Sequence, residues 1–80
     1  MKEFLLKTPD LGDTEKIELV QWNFSPGDQI SIGDEVIELV TDKAAFPVES
    51  PYSGILKSIL IPKGSVVKTG EILGVLEIQE

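Results

Sequence analysis

A lysine, Lys43, lies between two apolar, β-branched runs in the stretch Glu38-Leu39-Val40-Thr41-Asp42-Lys43-Ala44-Ala45-Phe46-Pro47-Val48. The runs read as the arms of a hairpin, and Asp42-Lys43 falls where the chain must reverse. A tight turn holds a side-chain amine as far from the protein body as a fold allows. Such a placement contributes nothing to packing and suits a primary amine that must be reached from outside. The composition offers little other chemistry. Histidine is absent, which removes the usual general base, the usual metal ligand and any Ser/His or Cys/His nucleophile pair. Cysteine is absent too, so no disulfide or thiolate zinc site is available. All seven basic residues are lysines, and planar bidentate clamping of phosphate or carboxylate by arginine is excluded. The sequence therefore predicts no catalytic residue and no metal site.

The elements that must position Lys43 are short and β-prone. Strands are expected over residues 3–8, 16–23, 35–41, 44–50, 54–61 and 71–78, with shorter pieces at 29–32 and 65–68. Turn residues punctuate them at Pro9-Asp10-Leu11-Gly12-Asp13, Ser25-Pro26-Gly27-Asp28, Ile32-Gly33-Asp34, Ser50-Pro51-Tyr52-Ser53-Gly54, Pro62-Lys63-Gly64-Ser65 and Thr69-Gly70-Glu71. No segment sustains a helical period beyond one or two turns, so the fold class is all-β.

A repeat underlies the pattern. A shift of 37 positions lays Gly27 on Gly64, Gly33 on Gly70 and Asp34 on Glu71. The same shift matches Leu19 to Leu56, Trp22 to Ile59, Phe24 to Ile61, Ile30 to Val67, Val36 to Leu73 and Leu39 to Leu76. Two repeats, about 17–41 and 54–78, suit one domain over residues 1–80. The form expected is a compact sandwich or flattened barrel with internal two-fold symmetry, each half giving strands to both sheets. Leu19 and Trp22 are three apart, as are Leu56 and Ile59, before a spacing of two resumes at Phe24 and Ile61. That change of parity predicts a bulge or bend at equivalent places, of the kind that lets a strand cross between sheets. The symmetry also places the lysine hairpin and the chain termini at opposite ends. Trp22, Phe24, Ile30, Ile59, Ile61 and Val67 are expected in the core. Gly27, Gly33, Gly54, Gly64 and Gly70 are expected where positive φ or close backbone approach is needed. Pro47 predicts a sheet edge or a bulge.

A chain of 80 residues buries only about 60 % of its unfolded surface, which leaves little room for an enclosed active site. The net charge of −7 argues against nucleic acid, whose binding relies on a basic patch. Most of the carboxylates read as a solvated acidic surface. No apolar run is long enough to span a bilayer, and the first residues lack a signal-peptide h-region. A soluble, reducing compartment is expected: cytoplasm, or the mitochondrial matrix in a eukaryote.

Thr41-Asp42-Lys43-Ala44, followed by Ser50-Pro51 and Gly54, resembles the attachment hairpin of lipoyl domains from 2-oxo acid dehydrogenase complexes. The resemblance runs along essentially the whole chain, through Pro9-Asp10-Leu11-Gly12, Trp22, Pro26-Gly27-Asp28 and Gly33-Asp34. It implies a barrel-sandwich hybrid, a flattened eight-stranded barrel of two four-stranded antiparallel sheets with two-fold quasi-symmetry. It implies that Lys43 is the covalent attachment site for lipoate, added by a lipoate ligase or an octanoyl/lipoyl transferase. Asp42 and Ala44 would be read by that enzyme and by later partners, Asp42 also supporting the turn as an Asx residue. The partners implied are a thiamine-diphosphate 2-oxo acid decarboxylase, an acyltransferase catalytic domain and a flavoprotein dihydrolipoyl dehydrogenase. The domain itself would be a monomeric, non-catalytic swinging-arm carrier, with neither nucleic acid nor membrane as partner.

Three other readings share the fold. Biotinyl domains of carboxylases typically carry methionines on both sides of the lysine, where this chain has Asp42 and Ala44; its one methionine is Met1. The glycine-cleavage carrier is longer and has helical additions. Unmodified lipoyl-like interaction modules usually separate their halves with a long insertion and lack an acceptor lysine. This chain also departs from the lipoyl pattern. The stretch between Pro9 and Trp22 is one residue short of the common length, with Gly12-Asp13-Thr14 where a Gly-Glu-Gly type sequence often stands. Pro47 and Glu49 stand in exchanged order around Val48.

Overall fold

A computed structural model describes residues 2–12 and 16–78. All their regular structure is β: β1 (Lys2–Lys7), β2 (Ile17–Trp22), β3 (Gln29–Ile30), β4 (Glu35–Val40), β5 (Ala45–Glu49), β6 (Gly54–Ile59), β7 (Ser65–Val67) and β8 (Ile72–Ile78). Every expected strand is present, with ends within two residues of the sequence reading. The strands form two antiparallel four-stranded sheets, ordered β1-β8-β6-β3 and β5-β4-β2-β7. The sheets do not close on one another, so the architecture is the flattened sandwich rather than a true barrel.

The second sheet order is the first one read through the repeat. The shift that carries β2 to β6 and β4 to β8 exchanges the sheets, and the backbone hydrogen bonds obey it. Gly27 N–H donates to Leu56 O at 2.7 Å, and Gly64 N–H to Leu19 O at 2.6 Å. Asn23 N–H donates to Val36 O at 2.8 Å, and Leu60 N–H to Leu73 O at 2.9 Å. The bulges fall between Leu19 and Gln21 in β2 and between Leu56 and Ser58 in β6, where the parity change placed them. They do not carry a strand from one sheet to the other. β2 keeps β4, and β6 keeps β8, as its neighbour on both sides of the bulge. The extra residue is absorbed as a local bend and twist.

One equivalence was not visible in the sequence. Gly70 N–H donates to Thr8 O and Thr8 N–H to Glu71 O, both at 2.9 Å; Gly33 N–H donates to Ser50 O at 2.8 Å and Ser50 N–H to Asp34 O at 2.9 Å. Thr8 and Ser50, both buried, are therefore counterparts 42 positions apart. The spacing changes because the connection after Thr8 is longer than the one after Ser50.

The same turn recurs at residues 25–28, 31–34 and 68–71. Its fourth N–H donates to the first carbonyl (2.9, 3.0 and 2.9 Å), and its third residue is a glycine with φ of 96°, 88° and 85°. Its fourth residue is acidic, and the carboxylate of Asp28, Asp34 or Glu71 accepts the N–H of the first residue at 2.8, 2.9 and 3.0 Å. At residues 62–65 the first residue is Pro62, which has no N–H to satisfy, and the fourth is Ser65 rather than an acid.

The core is Leu6, Ile17, Leu19, Ile30, Val36, Ile37, Leu39, Leu56, Val67, Leu73 and Leu76. Of the six residues expected there, Ile30 and Val67 belong to it, whereas Trp22, Phe24, Ile59 and Ile61 are only partly buried and pack around it. All four lie beyond the bulges of β2 and β6. Trp22 also compensates an asymmetry. It pairs with Ile37, while its counterpart Ile59 pairs with Gly74. A Cβ on Gly74 would lie 2.7 Å from Trp22 Cη2 and 2.8 Å from Ser58 O, so the indole fills the space that the glycine leaves. Its Nε1–H donates to Ile61 O at 2.8 Å. Gly74→Ala should therefore destabilise by about 1–3 kcal/mol in urea unfolding. Trp22→Phe in the same background should return part of that loss. Simple additivity of the two changes would refute the compensation.

Candidate functional site

β4 gives the site a rigid base. It lies inside its sheet between β2 and β5, and Val36, Ile37 and Leu39 are each 0 % exposed. β5 is the edge strand, as Pro47 predicted, because proline supplies no N–H to a further neighbour. The two strands stay paired up to Val40 opposite Ala45, so residues 41–44 form a hairpin with only Asp42 and Lys43 in its loop. Asp42, Lys43, Ala44 and Ala45 are all exposed.

The loop does not use the backbone usual for its length. Two-residue hairpin loops favour turns with positive φ, commonly through Asn-Gly, whose twist matches that of the strands. Here no described residue other than glycine has positive φ, so Asp42 and Lys43 both keep ordinary negative values. Thr41 holds the alternative geometry. Its N–H donates to Ala44 O at 2.9 Å. Its hydroxyl oxygen accepts Lys43 N–H at 3.1 Å and Ala44 N–H at 3.3 Å, and the hydroxyl donates to Ala44 O at 3.3 Å. Thr41 is 8 % exposed, so these bonds are made at the buried root of the turn. This corrects the sequence reading, which gave the side-chain support of the turn to Asp42. The signal was available: threonine at the first position of a four-residue reversal can close the turn through its hydroxyl.

The site lies at the opposite end of the molecule from Lys2 and Ile78, the first and last described residues. Val40, Ala45, Ile17 and Val67 share one end of their sheet, and the turn at 68–71 joins Val67 to Ile72, beside Lys7. Lys2, Ile78, Gly54 and Ile30 mark the other end of the first sheet. The longer of the two quasi-equivalent connections leaves Thr8 and enters β2 at Ile17, and both of these residues lie at the lysine end. Its start is ordered by Asp10, whose carboxylate accepts Gly12 N–H at 3.0 Å. Asp13 and Thr14, part of the departure noted in the sequence, lie outside the described residues.

Among the other lysines, Lys57 is ion-paired with Glu3. The hydrogen bond to the Glu3 carboxylate, and that group's charge, hold its pKa above the ordinary lysine value. An open groove of roughly 500 Å³ runs between the edges of β1 and β5, lined by Phe4, Leu6, Val48 and Pro51 among others, with no residue of the turn. The exposed turn lies outside this groove. Among the described residues no group of His, Cys, Asp and Glu could hold a metal ion, and no helix is long and apolar enough to cross a membrane.

Residues 5–76 match the Biotin_lipoyl family, described as biotin-requiring enzyme. The chain is 36% identical over 72 residues to the dihydrolipoyllysine-residue acetyltransferase component of the pyruvate dehydrogenase complex of Cupriavidus necator. It is 37% identical over 75 residues to the succinyltransferase component of the 2-oxoglutarate dehydrogenase complex of Buchnera aphidicola from Schizaphis graminum. These matches take in 90% and 92% of this chain but only 13% and 19% of those proteins. In fold, it resembles the solution structure of the lipoyl domain of the Azotobacter vinelandii 2-oxoglutarate dehydrogenase complex. The TM-score is 0.77 at 24% identity, covering 91% of this chain and 94% of that one.

Proposed function

We propose a function from one premise: the chain belongs to the biotin/lipoyl attachment family, which its residues 5–76 match. Within that family it acts as a lipoyl carrier domain, with lipoate amide-linked to Nζ of Lys43. The observation that carries this reading is the turn itself: an exposed lysine on a two-residue loop, rooted in the buried strand β4 and flanked by Asp42 and Ala44. Those neighbours favour lipoate, because biotin acceptors have methionines there.

The residues present fit such a group. A ligase can surround a protruding amine, and the small side chains of Ala44 and Ala45 leave one approach to it open. The amine must first lose a proton. Its lone pair then attacks the activated carboxyl carbon of an acyl adenylate, the amide bond forms, and AMP leaves. Once attached, the lipoyl dithiolane supplies a disulfide that can take up an acyl group with two electrons and later release both. The protein's own contribution is presentation. Tethering to a fixed turn raises the local concentration of the arm at each active site within reach. Partners of this kind are a thiamine-diphosphate decarboxylase, an acyltransferase and a dihydrolipoyl dehydrogenase. The similarities to components of pyruvate and 2-oxoglutarate complexes are nearly equal, at 36% and 37%, and favour neither acid. The longer connection after Thr8, at the lysine end, is the natural place for that choice to be made.

Incubation of the protein with lipoate, ATP and a lipoate ligase should add one lipoyl group, located at Lys43 by peptide mapping. A parallel incubation with biotin and a biotin ligase should leave the chain unmodified. Efficient biotinylation of Lys43 would replace this reading with that of a biotinyl carrier. Failure of both reactions would favour an unmodified interaction module.

A further inference from the structure

We infer that Thr41 is the positioning residue of the modification site, its hydroxyl fixing the one turn geometry in which Lys43 is presented to the enzyme that acylates it. The inference rests on the lipoyl-carrier reading of Lys43 and assigns a role to a residue that never touches the incoming group.

A two-residue loop has two broad solutions. With positive φ at both positions it follows the twist of the strands. For non-glycine residues the left-handed conformation is strained, and Asp42 and Lys43 would both bear that strain. With negative φ the residues are unstrained, but the strands are splayed against their twist. The chain takes the second solution. What offsets the mismatch is local: the Thr41 hydroxyl accepts Lys43 N–H and Ala44 N–H and donates to Ala44 O. Three contacts converge on one oxygen that is almost shielded from water, since Thr41 is 8 % exposed. One of them grips the amide of the acceptor lysine itself. The direction in which the Lys43 Cα–Cβ bond leaves the domain is therefore set by a side chain two residues earlier.

Without that hydroxyl the strands remain paired at Val40 and Ala45, so the domain stays folded, but the loop samples other conformers. An enzyme that accepts only the native geometry then meets it as a fraction of the population, and its apparent affinity falls by that fraction. Bound protein is held in the native geometry, so turnover from the bound state is unchanged. The signature is a raised KM with constant kcat. A small acylating reagent that makes no contact with the turn has no such requirement.

The test compares wild-type protein with Thr41→Val and Thr41→Ser. Valine keeps the shape and removes the hydroxyl; serine keeps the hydroxyl. Three measurements are made: ligase kinetics with lipoate and ATP, the rate of Lys43 acetylation by an N-hydroxysuccinimide ester followed by peptide mapping, and thermal unfolding. Thr41→Val should raise the ligase KM about five- to ten-fold, with kcat and the acetylation rate within about two-fold of wild type. Thr41→Ser should restore KM to within about two-fold of wild type. The inference is overturned if Thr41→Val keeps the wild-type KM, if serine fails to rescue, or if the loss only follows the unfolded fraction. Wild-type protein left unmodified at Lys43 by the ligase would overturn the carrier reading, and the role of Thr41 with it.

Discussion

A Lys43→Gln variant should accept no lipoyl group at all, while its thermal midpoint stays within about 4 °C of wild type. The two outcomes separate because attachment needs the side-chain amine, whereas the hydrogen bond to Thr41 at the turn needs only the backbone of residue 43. Lys43 is exposed, and the bond that closes the turn beneath it uses its backbone N–H, which glutamine retains. The strands below are held by Val36, Ile37 and Leu39, each fully buried. Exposed substitutions away from caps and buried networks change stability by about 0.5 kcal/mol or less. In a domain of this size that moves the midpoint by only a few degrees. In the carrier function proposed above, attachment depends on one atom, Nζ of Lys43, which glutamine lacks. The six other lysines serve as controls in the same sample. Lys57, for one, is ion-paired with the Glu3 carboxylate, which holds its pKa above the ordinary lysine value. Intact mass and peptide mapping after ligase treatment read the result. An adduct persisting in Lys43→Gln would place the acceptor elsewhere and remove the basis for the carrier reading.

Most of the scaffold was legible because strand and turn signals are local. Alternating apolar residues gave the strands, and the 37-residue shift gave the relation between the sheets, down to the bulges of β2 and β6. Trp22 misled because size suggests centrality. The centre of a two-sheet sandwich is filled by the inward leucines and isoleucines of the inner strands, and a large ring with a polar N–H does better at the margin, beside Ile61 O. The equivalence of Thr8 and Ser50 was hidden by the unequal connections that follow them. At the site, the sequence drew attention to Lys43, Asp42 and Ala44, while the support came from Thr41, which opened the motif without a role of its own. An exposed reactive residue can be found by type and place. The group that fixes its direction is identified by hydrogen bonds, which depend on the turn geometry actually adopted.

Gly54→Ala should be the most damaging single-methyl change in the chain, lowering stability by about 3 kcal/mol or more. Gly54 differs from the turn glycines. At Gly33 a Cβ would meet open space, and the penalty comes from φ of +88°, about 1–2 kcal/mol for an alanine held there. Gly54 does not have positive φ, yet its Cβ would overlap the carbonyl oxygen of Glu77 and lie 3.0 Å from Glu77 C and 3.2 Å from Ile78 Cα. These are backbone atoms of the adjacent strand β8 and cannot rotate away as a side chain would. Gly54 pairs with Ile30 on one side and Ile78 on the other, so relieving the overlap pulls β6 from β8 where β3 also depends on it. An 80-residue domain has about 4–12 kcal/mol in all, and a loss of 3 is a large share of it. With a urea m-value of about 1 kcal/mol/M the midpoint should fall by about 3 M, against about 1–2 M for Gly33→Ala. The injury is at the end of the sandwich remote from Lys43. The folded fraction of Gly54→Ala should therefore still be lipoylated with wild-type KM, the opposite of the pattern expected for Thr41→Val. A Gly54→Ala protein no less stable than Gly33→Ala would show that β6 and β8 can part at this point without penalty, and that Gly54 is there for the turn rather than for the sheet.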